Sequence, residues 1–113
     1  MKIRLIVPNC DKGHKSPIKE YGPAIANIAG GFTTFQATGG WKDDQGQLIG
    51  EPVTVFDLAI AATPDDEGDV TRNGYPASSR IADLRDLAKQ IARDLSQTCV
   101  YLEIDGVVEY VKG

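Results

Sequence analysis

No long apolar run occurs in this sequence: the longest is a handful of residues, far short of the roughly 20 that a membrane-crossing helix needs. A membrane protein is therefore not expected. Cysteine is scarce, with only Cys10 and Cys99, too few for a secreted disulfide scaffold and without zinc-ligand spacing, so both read as reduced thiols unless the fold brings them together. Basic charge is in deficit, 12 Lys and Arg against 16 Asp and Glu for a net charge of -4, which opposes binding to a phosphate backbone. Nucleic acid is not an expected partner. Histidine occurs once, as His14, so a general base titrating near neutral pH has a single obvious candidate. The N-terminal MKIRLIVP passes straight into polar NCDKGHK without a signal-peptide pattern, and a cytoplasmic protein is expected.

The chain has 113 residues, 42% of them hydrophobic and 25% charged, enough for one core, so residues 1–113 read as a single domain. Lys2 to Pro8 alternates Ile3, Leu5 and Val7 with Arg4 and Ile6, the period of a strand. Ser16-Pro17 then gives a helix cap and a proline at the first helical position, followed by a stripe of Ile18, Tyr21, Ile25 and Ile28. Gly22-Pro23 predicts a kink or restart, and Gly30-Gly31 predicts the end of the helix. Phe32 to Thr38 and Val53 to Ala61 read as strands of a hairpin turning at Asp43 to Gly46. Residues 62–77 read as a long acidic loop. From Ser79, Ile81, Leu84, Ala88, Ile91 and Leu95 recur at helical spacing, and Thr98 to Ile104, Asp105-Gly106 and Val107 to Val111 close the chain as a second hairpin.

The predicted fold is α+β, a ferredoxin-like split βαβ arrangement: βαββαβ plus a C-terminal strand, in an antiparallel sheet with two helices on one face. The other face needs a cover. Ile6, Phe56, Leu58 and Tyr101 are expected on it, and an apolar face of that kind packs on a second copy or a partner, so a homodimer is expected.

One end of such a sheet collects the loop after the first strand, the central hairpin and the entry to the fourth strand. Lys12, His14, Lys15 and Lys42 would make a local positive patch there, with Trp41 as a flat stacking surface and Gly39-Gly40 allowing close approach. Thr34, Gln36 and Thr38 join this site if they line a cavity beside Trp41. The ligand expected is small, anionic and nucleotide-like. The plain alternative is that Trp41 closes the hairpin and the lysines are solvated. Catalysis by His14, or by Cys10 activated by His14 and Lys12, is the enzymatic alternative, in the manner of dimeric α+β-barrel proteins. No catalytic residue is assigned, because no carboxylate or serine stands at a defining spacing. Asp65 to Asp69 lacks the alternating oxygen ligands and terminal glutamate of a calcium loop, so neither a metal nor a cofactor is expected.

Gly30-Gly31-Phe32-Thr33 through Gly40-Trp41-Lys42-Asp43, then Gly46 and Glu51-Pro52-Val53-Thr54-Val55, resembles a pattern of small uncharacterised domains of bacteria and their phages and plasmids, over about a third of the chain. The resemblance implies a hairpin and a mobile-element origin, and carries no catalytic residue. A non-enzymatic binding protein is the first expectation, capturing the anionic ligand or blocking a host defence protein. A small enzyme using Cys10 or His14, and an oligomerisation module using the open sheet face, are the alternatives.

Overall fold

Ile3, Leu5 and Val7 are all buried in β1 (Lys2–Pro8), while Arg4 and Ile6 between them are half-exposed. That alternation sets two unlike faces for the whole sheet. The computed structural model describes residues 1–9, 16–60, 71–72 and 75–113. After β1 come α1 (Pro17–Ala29), β2 (Thr33–Lys42), β3 (Leu48–Ala59), the short pair β4 (Thr71–Arg72) and β5 (Tyr75–Pro76), α2 (Ala77–Asp94), β6 (Cys99–Ile104) and β7 (Val107–Lys112). The five long strands form one antiparallel sheet in the order β2-β3-β1-β6-β7, and β4 pairs with β5 apart from it. The architecture is α+β, with a five-stranded antiparallel sheet and two helices.

Local chemistry explains the helix ends. The Ser16 side chain accepts a hydrogen bond from the Lys19 amide at 3.4 Å, Pro17 fills the first turn, and Gly30 takes the left-handed conformation at φ 93° that closes α1. The predicted restart at Pro23 does not occur, and one helix runs from Pro17 to Ala29. Pro23 lies on the exposed side, where the Lys19 carbonyl that it leaves without a donor is open to water. Gly22, by contrast, faces inward: a Cβ there would meet the Phe32 ring at 3.1 Å. Asp105 and Gly106, at φ 48° and 84°, make the tight turn between β6 and β7.

The core lies between the helices and one sheet face. Leu5, Val7, Phe56, Leu58, Val100 and Leu102 pack there against Tyr21 and Ile25 of α1 and Leu84, Ala88 and Ile91 of α2. Phe32 meets Phe56 edge-on with ring centroids 5.4 Å apart. The Tyr21 hydroxyl donates to Asp94 at 3.2 Å, tying the two helices together, and Arg85 on α2 pairs with Glu109 on β7. No helix among the described residues is long and apolar enough to cross a membrane.

Phe56 and Leu58 are 0% and 6% exposed within this core, which corrects their expected place on the open face. Register is the reason: Ile6 stands opposite Val55, not Phe56, and Leu5 stands opposite Phe56. One step in register exchanges the faces of a strand. Ile6 and Tyr101, which are opposite one another, do lie on the face away from the helices.

Candidate functional site

Period 2 and the strand registers together place side chains from all five strands in rows across the open face. Thr33, Asp57, Arg4, Glu103 and Val108 form one row; Phe35, Val55, Ile6, Tyr101 and Tyr110 form the next. The first row is charged at its centre. Arg4 donates from Nε to Asp57 Oδ1 at 2.7 Å and from Nη2 to Oδ2 at 2.9 Å, and its guanidinium carbon lies 5.6 Å from the centre of the Phe35 ring. The hydrogen bond from Arg4 holds the Asp57 carboxyl below its usual range, and the same bond raises the Arg4 pKa. Arg4 and Glu103 are opposite in register, yet the ion pair of Arg4 is with Asp57.

The second row is aromatic. The Tyr101 hydroxyl donates to Glu103 Oε1 at 2.5 Å, which together with burial and the Glu103 charge holds its phenol above the usual range. The rings of Tyr101 and Tyr110 meet edge-on at 5.9 Å. A groove of about 390 Å³ opens beside them, lined by Ile6, Pro8, Val53, Trp41, Tyr101 and Tyr110 among others, with Glu51, Gln97 and Cys99 contributing polar atoms. Gly39 lies in this groove, and a Cβ there would sit 3.3 Å from Val53 Cγ1, so the missing side chain keeps the floor low. A second, wider groove of about 750 Å³ adjoins the charged row, between Lys2, Arg4, Asp57, Ala59 and Glu103 on one side and Ala29, Gly31, Phe32 and Thr33 on the other. It occupies the corner left where β2 begins opposite Asp57 while β3 continues to Ala59.

The structure sorts the expected site residues. Trp41 does come together with Gln97 and Cys99 at one end of the sheet. Thr34, Gln36 and Thr38 do not join it: their register partners Phe56, Thr54 and Pro52 place them on the helix-side face, opposite to Trp41. Lys42, next to Trp41 in sequence, shares the face of Thr38. Gln36 instead closes a ring of hydrogen bonds with Asn9 and the buried Thr54. Asn9 Nδ2 donates to Gln36 Oε1 at 2.7 Å, Gln36 Nε2 to Thr54 Oγ1 at 3.1 Å, and Thr54 Oγ1 to Asn9 Oδ1 at 2.6 Å. Cys10, Lys12, His14 and Lys15 lie outside the described residues. Among the described residues no cluster of His, Cys, Asp and Glu could hold a metal ion. Sequence reasoning missed the Arg4–Asp57 and Tyr101–Glu103 pairs, whose signal was a lone charged residue set among apolar neighbours in each of β1, β3 and β6.

No protein-family model matches the chain, and no curated protein matches it. Two solved structures share its fold. One is a phage SAM lyase in complex with S-methyl-5'-thioadenosine, at a TM-score of 0.64 and 17% identity, covering 99% of this chain and 88% of that chain. The other is a phage SAM lyase in the apo state, at 0.63 and 19% identity with the same coverage. These similar chains are enzymes, and on that finding the expectation of a non-enzymatic protein is withdrawn.

Proposed function

We propose that this chain is a lyase acting on S-adenosylmethionine, releasing S-methyl-5'-thioadenosine from a site on the open sheet face. One observation carries the reading: nearly the whole chain follows the fold of a lyase that binds that thioadenosine. The groove supports it chemically. Trp41 offers a flat surface on which an adenine ring stacks, while Tyr101 and Tyr110 supply the electron-rich faces that attract a sulfonium cation. The acid excess of the chain suits a cationic substrate better than the anionic ligand expected from its lysines.

The chemistry needs little from the protein beyond holding the substrate curled in a dry place. A lyase breaks the bond between sulfur and the aminobutyryl chain without adding water. The substrate's own carboxylate oxygen can bond to the carbon next to sulfur, closing a five-membered lactone, while the electron pair of the broken bond stays on sulfur. Positive sulfonium and negative carboxylate disappear together, so the transition state is less charged than the substrate. Apolar walls such as Ile6, Pro8 and Val53 stabilise it relative to a ground state that water would solvate better.

The strand order reads as ferredoxin-like with one strand appended, and the phage source of the similar chains favours a mobile-element origin. A second copy against the edge strand β7, where Val107 and Val108 are exposed, is part of the proposal, and light scattering tests it against twice the 12.2 kDa chain mass. The activity is tested by incubating purified protein with S-adenosylmethionine and following the thioadenosine chromatographically. Formation no faster than the spontaneous breakdown of the substrate refutes it.

A further inference from the structure

The two grooves follow one another along β1 and β6. Ile6 and Tyr101 line the aromatic groove, while Arg4 and Glu103, two residues along the same strands, line the wider one. Two residues of strand cover roughly 7 Å, so the long side chains of Arg4 and Glu103 can reach the amino-acid end of a curled molecule whose sulfonium sits beside Tyr101. At that distance the open face presents Arg4 and Glu103 opposite one another, on adjacent strands. They are not joined to each other, because the ion pair of Arg4 goes to Asp57 and Glu103 accepts the Tyr101 hydroxyl on one oxygen.

Each group is held in place with binding capacity left over. The guanidinium is fixed by its forked contact with Asp57 and by the Phe35 ring, and this uses two of its five N–H donors. Among the described residues only Oε1 of Glu103 takes a hydrogen bond, which leaves its second oxygen to accept from an ammonium. A positive and a negative wall standing side by side are the complement of an α-amino-acid zwitterion, with carboxylate toward Arg4 and ammonium toward Glu103.

We infer that Arg4 and Glu103, with Asp57 positioning Arg4, form the recognition site for the α-amino-acid end of the substrate, beside the groove that takes its adenosyl end. This rests on the proposed reading of the aromatic groove. It explains how a lyase could hold its product's thioadenosine portion weakly and its substrate firmly, since only the substrate carries the zwitterion.

The test compares Arg4→Met and Glu103→Gln with the unaltered protein against three probes: S-adenosylmethionine, its decarboxylated analogue, and S-methyl-5'-thioadenosine. Loss of charge-assisted hydrogen bonds is expected to raise the KM for S-adenosylmethionine about 10- to 100-fold in each variant. The thioadenosine Kd, read by calorimetry, stays within about twofold, and the decarboxylated analogue binds Arg4→Met as well as it binds the unaltered protein. If Arg4→Met leaves Asp57 unpaired and fails to fold, the double variant Arg4→Met with Asp57→Asn restores neutrality and is measured in its place. Cleavage by the unaltered protein with an unchanged KM in the variants overturns this inference alone, as does equal weakening of the thioadenosine. Absence of both cleavage and thioadenosine binding in the unaltered protein overturns the reading of the groove, and this inference with it.

Discussion

The single tryptophan makes the groove report on itself. Trp41 is 47% exposed at the rim and is the only indole in the chain, so all tryptophan emission comes from the proposed adenine surface. Stacking of a base on an aromatic side chain contributes roughly 1–3 kcal/mol. Trp41→Ala should therefore weaken the Kd for S-methyl-5'-thioadenosine about 5- to 150-fold. Trp41→Phe, which keeps a smaller ring, should fall between the two. The half-exposed indole passes from water to contact with a purine on binding, so its emission should quench and shift to shorter wavelength, saturating at the Kd found by calorimetry. The fold is not at stake in these variants, because Trp41 lies on the part of β2 that pairs with β3 beyond the reach of β1. Calorimetric binding with no change in emission, and an unaltered Kd in Trp41→Ala, would show that the adenosyl group binds elsewhere.

Two further outcomes follow from the register and from the ion pair. Phe56 is fully buried and in edge contact with Phe32, so Phe56→Ala should cost about 3–5 kcal/mol, a large part of the roughly 5–15 kcal/mol available to a domain of this size. A denaturant midpoint close to that of the unaltered protein would contradict its place in the core. The Asp57 pKa is lowered in the folded state by Arg4, so its contribution to stability is present above the unfolded value near 3.9 and is lost as pH falls through the folded value. Stability measured against pH should lose this small increment only below about pH 4, and Arg4→Met should flatten that part of the curve; a curve identical in the variant would refute the linkage.

Much of the fold was legible because its signals are local. Ser16-Pro17 and Gly30 bound α1, the spacing of Ile81, Leu84, Ala88 and Ile91 marks α2, and Asp105-Gly106 turns the last hairpin. The open face was harder, because β3 carries apolar residues at both parities: Val53 and Val55 at one, Phe56 and Leu58 at the other. Hydrophobicity alone leaves such a strand free to face either way. Charge resolves it. Arg4 shares its parity with Ile6, and Asp57 shares its parity with Val53 and Val55, so turning Phe56 and Leu58 outward would drive Asp57 into the core without water. The same parity argument separates Trp41 from Thr34, Gln36 and Thr38, since odd and even positions of one strand cannot share a face. What no local pattern contains is the juxtaposition of Arg4, Asp57 and Glu103, whose neighbours in sequence are 46 or more positions away and which meet only once three strands have paired in register. The charged groups that mark the candidate site are thus also the ones that orient the strands: an isolated charge tells which face of its strand meets water, and only the paired sheet brings three such charges together.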